Sequence, residues 1–337
     1  MGNCCSKGSL KVSAAPVIEP VPAKTITSYV SFDAFLRNNA MPAIGGYSFI
    51  GELGKGATTK VYLVENIDKE QFAAKVYNKQ QLMKPTLRSE ESPLEAVNRE
   101  IELMLNLDHP YIMGIIEAME DDETNSIIII TTYASLGNVQ SLIDKGHITH
   151  ENILRCFYQA AMAFEFLHGI NTVHRDIKPE NLLAYTEEYY AVSDFSVSTV
   201  LSGPNQYLDD TKGSPAFMSP EECSGDAFLP KPADVWSYGV SLYSAVFKKL
   251  PFELDACQTQ SVANTMLVVT QQLETQELTF PENADPQLVD LLSRILVKDP
   301  LKRLTFSEIL QHPVFNDAKK AEEEMEREAQ LNENVGK

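Results

Sequence analysis

The chain has no apolar run approaching the about 18 residues that a membrane-crossing helix takes. Its first residues are polar, with no apolar stretch that would read as a secretion signal. Cysteine is scarce. The five in 337 residues are Cys4, Cys5, Cys156, Cys223 and Cys257. Their spacing suits neither a disulfide framework nor a zinc site, so reduced thiols are expected. Positive charge is the other deficit: 28 Lys and Arg against 47 Asp and Glu leave a net charge of −19. That excludes nucleic acid as a partner, because its phosphates call for Lys/Arg-rich surfaces. It also excludes a purely electrostatic hold on anionic lipid, while a basic protein or peptide partner stays compatible. No internal repeat is found. What is present is a hydrophobic fraction of 44%, which is that of a globular chain with a sizeable core.

Organisation changes along the chain. Residues 1–46 carry Pro16, Pro20, Pro22 and Pro42 without a sustained period, and read as a flexible tether. From Tyr47, short runs rich in Val, Ala and aromatics (Lys60–Glu65, Gln71–Tyr77) read as strands. Leu94–Leu105 reads as a helix with Val97, Ile101, Met104 and Leu105 on one face. Met113–Met119 and Ser126–Thr132 read as further strands. After Gly137-Asn138, helices dominate. Ile153, Phe157, Ala161, Phe164 and Leu167 keep helical spacing towards a C-cap at Gly169. Asp234–Lys248 reads as a buried central helix, and Leu288–Val297 as another. Thr305 with Glu308 forms a capping box, and residues 316–337 read as a frayed acidic helix.

Four stretches carry chemistry. The hairpin containing Leu53, Gly54, Lys55 and Gly56, closing at Val61, would let backbone N–H groups approach phosphate oxygens. Lys75 lies among apolar residues on the next strand and needs a carboxylate, for which Glu100 on the following helix is the candidate. The stretch His174-Arg175-Asp176-Ile177-Lys178-Pro179-Glu180-Asn181 is followed about a dozen residues later by Ser193-Asp194-Phe195-Ser196. Phosphoryl transfer needs a base near the incoming hydroxyl, cations on the transferring oxygens and oxygen ligands for metal. Asp176 supplies the base and Lys178 the cation, while Asn181 and Asp194 supply hard ligands suited to Mg²⁺.

In this order and spacing, residues 47–315 resemble a eukaryotic protein kinase domain. The resemblance implies an α+β, bilobal fold with a small β-rich N-lobe carrying one helix and a larger, mostly helical C-lobe. It implies ATP and Mg²⁺ as cofactors, and protein substrates. The adenine would lie between Val61, Ala73 and Leu183, with Thr131 as gatekeeper and Thr132, Tyr133 and Ala134 as hinge. Glu221 would pair with Arg303, and Asp234 would brace the catalytic loop. Lys178, two residues after Asp176, is similar to serine/threonine kinases, and Glu180 suggests a basic substrate motif. Arg175 would ordinarily balance an activation-loop phosphate. Here the Asp210 carboxylate would partly replace it, with Thr211 or Ser214 the alternative as phosphosites.

Two positions depart from the pattern: Thr59 stands for the third loop glycine, and Ser196 for the glycine after Asp194-Phe195. Serine resists positive φ, so outward flipping of that segment should be hindered. These two residues are the support for an alternative reading as a membrane-anchored pseudokinase. Pro93–Val97, Leu107-Asp108-His109-Pro110 and Gly213–Met218 are similar to the calcium/calmodulin-dependent kinase kinase group. No basic amphipathic helix follows, so calmodulin is not an expected partner.

Met1-Gly2-Asn3-Cys4-Cys5-Ser6 fits the myristoylation pattern with Gly2 as acceptor. One myristoyl chain partitions with a constant of only about 10⁴ M⁻¹, so a second signal is needed. Cys4 and Cys5 offer palmitoylation. The expected location is the cytoplasmic face of membranes, the plasma membrane first.

Overall fold

The computed structural model describes residues 43–56, 59–84, 91–121, 124–252 and 262–335; Gly2, Cys4 and Cys5 lie outside them. The N-lobe is a six-stranded antiparallel sheet. Its strands are β1 (Ala43–Ile44), β2 (Tyr47–Lys55), β3 (Thr59–Glu65), β4 (Gln71–Asn78), β5 (Ile115–Asp121) and β6 (Ser126–Thr132), in the order β1-β2-β3-β4-β6-β5. Alternation along β4 sends Phe72, Ala74 and Val76 into the lobe core and turns Ala73 and Lys75 to the opposite face. Helix α1 (Lys79–Leu82) leads to α2 (Pro93–Leu105). Ser92 and Glu95 form a reciprocal capping box there, and Pro93 opens the helix where no donor is missed. Val97, Glu100, Leu103 and Met104 are its buried residues. Leu105, expected on that face, is 62% exposed. The buried stripe follows the 97–100–104 spacing, and Leu105 falls off it in the last turn.

The C-lobe contains β7 (Gly137–Asn138), α3 (Val139–Lys145), α4 (His150–Gly169), β8 (Thr172–Val173), β9 (Leu182–Ala184), β10 (Tyr190–Val192) and β11 (Thr199–Val200). The remaining helices are α5 (Pro220–Cys223), α6 (Pro230–Phe247), α7 (Val262–Thr275), α8 (Pro286–Ile295), α9 (Phe306–Ile309) and α10 (Asn316–Val335). Helices α4 and α6 form the centre, burying Phe157, Phe164, Trp236, Tyr238 and Leu242 in one cluster. Helix α6 starts four residues before the expected Asp234, because Pro230 serves as its first turn. At the end of α4, Gly169 is still helical. Asn171, at φ 56°, takes the left-handed position instead. Helices α6 and α8 cross closely at Gly239, where a Cβ would stand 2.3 Å from Ile295. Small β9–β10 and β8–β11 pairings lie beneath the cleft and carry the catalytic and metal-binding candidates at their ends. This is the α+β, two-lobed arrangement that the sequence implied.

Candidate active site

Lys75 faces the cleft because strand periodicity puts it opposite the core-facing Ala74. Its ammonium lies 2.8 Å from Glu100 Oε1 and 3.5 Å from Asp194 Oδ1. Glu100 is buried, and its other oxygen accepts from Tyr77 Oη at 2.8 Å. Burial alone would lower the Lys75 pKa, but the carboxylates of Glu100 and Asp194 outweigh it and hold the ammonium protonated. The sequence signal for Tyr77 is its two-residue period from Lys75. The glycine hairpin pairs Gly54 with Val61 and Lys55 with Lys60. Gly56 N–H donates to Thr59 O at 2.8 Å, so Thr59 closes the turn as the first residue of β3. Leu53 is exposed at the edge of the cleft.

Asp234, on α6, organises the catalytic loop. Its carboxylate accepts from His174 N–H and Arg175 N–H, each at 2.8 Å, and meets His168 Nε2 at 2.9 Å. Burial would raise its pKa, but these contacts prevail and keep it ionised. The loop can then turn sharply at Arg175, which has φ 69°. Lys178 Nζ reaches Asp176 Oδ2 at 2.7 Å and Ser214 Oγ at 2.7 Å. Asn181 Nδ2 donates to Asp176 O at 2.8 Å and to Oδ2 at 3.1 Å, which leaves the amide oxygen for other use. Asp176 Oδ1 is buried with no partner among the described residues. Gly213 lies against this loop at φ 105°, where a Cβ would fall 2.2 Å from Arg175 O.

Asp194 is held at φ 63°. Burial would raise its carboxyl, yet Lys75, hydrogen bonds from Ser196 and the nearby His174 keep it below the ordinary range. Phe195 is fully buried, edge-on to His174 with ring centroids 5.2 Å apart. Ser196 itself does not have positive φ here, so the expected backbone reason for resisting a flip does not operate. Other restraints are present: the Ser196 bonds to Asp194, and Arg99 of α2, which donates to Ser196 O at 3.1 Å and also to Ser198 O. Arg99 gave no signal in the sequence beyond being a helix cation.

The donors Asn181 and Asp194, near the orphaned Asp176 oxygen, are all hard oxygens. Among the described residues, no group of three His, Cys, Asp or Glu could hold a metal ion alone. That combination fits a Mg²⁺-type ion held by one or two protein oxygens and completed by phosphates. Thr131 is buried with Oγ1 3.5 Å from Ala73 O, and Val61, Ala73 and Leu183, the residues expected around adenine, are each half-buried. In the hinge, Thr132 Oγ1 meets Tyr185 Oη at 2.6 Å, half-buried Tyr133 follows, and Ala134 is buried.

In the activation segment, Arg175 pairs with both Asp210 oxygens, at 2.9 and 3.2 Å, and Lys212 adds a third contact at 3.1 Å. Burial pushes the Asp210 carboxyl up, but Arg175 and Lys212 more than compensate, leaving it below its ordinary value. Thr211 Oγ1 donates to Glu222 O at 3.3 Å. Ser214, an alternative phosphosite in the sequence, accepts from Lys178 Nζ at 2.7 Å, next to the Asp176 carboxylate that Lys178 also holds. Glu221 and Arg303 form a two-pronged pair at 2.5 and 2.7 Å, with the guanidinium 4.9 Å above the Trp236 ring. The next residue, Glu222, is buried, and burial pushes its carboxyl up to about 7 despite bonds from Ser219.

Comparison with known proteins agrees with this geometry. The protein kinase domain family model matches residues 47–315. A probable serine/threonine-protein kinase of Dictyostelium discoideum is 32% identical over 274 residues, covering 80% of this chain and 38% of the relative. The serine/threonine-protein kinase GRIK1 of Arabidopsis thaliana is 30% identical over 270 residues, covering 78% and 64%. A calcium/calmodulin-dependent protein kinase kinase of Caenorhabditis elegans is 28% identical over 308 residues, covering 85% and 55%. The chain thus spans between 38% and 64% of the length of these curated relatives.

Proposed function

The chain belongs to the protein kinase domain family, and on that premise we propose that it transfers the γ-phosphate of ATP to serine or threonine hydroxyls of protein substrates. The observation that carries this reading is the joint placement of Lys75, Glu100 and Asp194 on one side of the cleft and Asp176, Lys178 and Asn181 on the other. Asp176 Oδ1, unpartnered, accepts the proton of the incoming hydroxyl as it attacks phosphorus. Lys178 neutralises charge on the transferring oxygens, and its tie to Ser214 fixes its direction. Lys75, held by Glu100, steadies the α- and β-phosphates. Asn181 and Asp194 would hold Mg²⁺, which when bound offsets phosphate charge. A pseudokinase scaffold is disfavoured because none of these six groups is missing. Radiolabelled ATP transfer to a generic peptide library, with Asp194→Ala as control, tests the reading. Transfer to Ser or Thr by the wild type alone is expected; no transfer by the wild type would overturn it.

Three finer readings accompany it. Asp210 takes the place of an activation-loop phosphate, supported by its bidentate contact with Arg175, so the enzyme works without an upstream kinase. Exposed Glu180 and the net charge of −19 favour substrates with a basic residue near the acceptor; a peptide array preferring acidic flanks would reject this. Myristoylation at Gly2 with palmitoylation at Cys4 or Cys5 holds the protein at the cytoplasmic face of a membrane, supported by the Met1–Ser6 pattern. Gly2→Ala should move it to the soluble fraction, and continued membrane retention would refute the anchor.

A further inference from the structure

The C-terminal helix α10 reads from its sequence as a frayed acidic helix, yet it docks along α4 through a buried carboxylate. Glu322 is 3% exposed. One of its oxygens accepts from Tyr111 Oη. The other accepts from Gln159 Nε2 at 2.7 Å and Arg155 Nε at 3.1 Å. Arg155 also reaches Met325 Sδ, one turn further along α10. A lone buried carboxylate is strongly unfavourable, and an apolar residue would dock such a helix with no desolvation penalty. Three converging donors therefore mark a specific joint and not general adhesion.

Two of these donors, Tyr111 and Gln159, lead towards the nucleotide site. Tyr111 sits in the segment between α2 and β5, next to Pro110, whose carbonyl accepts from Tyr189 Oη. The Tyr111 and Tyr189 ring centroids are 5.9 Å apart, and those of Tyr189 and Tyr185 are 5.5 Å apart. Tyr185 Oη then meets Thr132 Oγ1 in the hinge at 2.6 Å, and Tyr185 O accepts from Ser135 Oγ. Gln159, fully buried, uses its remaining donor on Glu188 O and its carbonyl on Tyr190 N–H, each at 2.8 Å. That fixes the β9–β10 hairpin, which carries Leu183 and runs directly into Asp194.

We propose that α10 is a strut of the nucleotide site. Glu322 is a positioning residue that acts through Tyr111, Tyr189 and Tyr185 on the hinge, and through Gln159 on the β9–β10 hairpin. The inference rests on the kinase reading for its nucleotide arm only.

The test uses the full chain and two readouts: hydrogen exchange of hinge residues 131–136, and direct binding of ATP with Mg²⁺. Glu322→Ala should speed hinge exchange and weaken ATP binding roughly tenfold, the equivalent of one net hydrogen bond to a charged group. Exposed Glu324→Ala on the same helix should change neither. Glu322→Gln, which keeps one of the two acceptor oxygens, should restore part of the loss. Tyr185→Phe should loosen the hinge while α10 stays protected. Unchanged hinge exchange in Glu322→Ala, or in Tyr185→Phe, would overturn the proposal. If Glu322→Ala loosens the whole lobe, α8 included, Tyr185→Phe decides, because it leaves the Glu322 cluster intact. A wild type that binds no ATP would instead strike at the kinase reading, while hinge exchange still judges the strut.

Discussion

Replacing Asp210 by Asn keeps its shape and removes its charge. The Arg175 side chain is 2% exposed and Asp210 44% exposed, so the substitution strips the counter-charge from a buried guanidinium. The Nε of that guanidinium already has no partner among the described residues, and after the substitution its acceptors are all neutral: Thr199 Oγ1, the backbone carbonyl of residue 210 and one amide oxygen. A hydrogen bond to a charged group nets about 1.5–3 kcal/mol. The half-exposure of Asp210 screens part of that, so the pair contributes about 1–2 kcal/mol to the ordered activation segment. Since about 1.4 kcal/mol is a factor of ten, kcat/KM should fall roughly five- to thirtyfold. The assay is steady-state peptide phosphorylation by bacterially made, phosphatase-treated protein. Thermal stability should change little, because the loss is confined to one loop contact. Full activity in Asp210→Asn would refute the reasoning, and so would a phosphatase-treated wild type that is inert.

Other perturbations follow from the same contacts. Glu222 has a folded-state pKa raised from 4.5 to about 7, so the folded protein binds this proton more tightly than the unfolded chain. Its contribution is full below about pH 4.5 and is lost as pH rises through 7, a loss of roughly 3 kcal/mol at most. Glu222→Gln should therefore match the wild type in thermal melts near pH 5 and exceed it near pH 8; equal melting at both would contradict the shift. Gly213→Ala forces a Cβ into Arg175 O and should cut kcat at least about tenfold, with the melting temperature lowered. Ser196→Gly removes the hydroxyl bond to Asp194, so inhibitors that require the flipped segment should bind the variant more tightly; equal binding would discard that restraint.

The site was legible in the sequence where its residues are close in the chain. His174 to Asn181 and Ser193 to Phe195 form two short stretches whose side-chain types name their own chemistry, and they meet within one cleft. Lys75 and Glu100 were legible at longer range because a lysine on an apolar strand demands a carboxylate. Contacts set only by tertiary packing were not legible. Glu322 is one acid among many in an acidic helix, and nothing local distinguishes the turn that faces Tyr111 from the turns that face water. Arg99 likewise looks like an ordinary helix cation until the activation segment lies against it. The tie between Ser214 and Lys178 spans 36 positions and leaves no local mark either. The helix boundaries at Gly169 and Asp234 shifted for a simpler reason: Asn171 can take the left-handed turn, and Pro230 can open a helix.

The central claim is that Asp176 handles the proton during transfer from ATP to a hydroxyl. Single-turnover transfer by Asp176→Asn, measured beside its ATP affinity, tests it most directly. The account predicts a rate lowered by about 10²–10⁴ with ATP affinity unchanged, since Lys75, Asn181 and Asp194 remain in place. Transfer at the wild-type rate would contradict it.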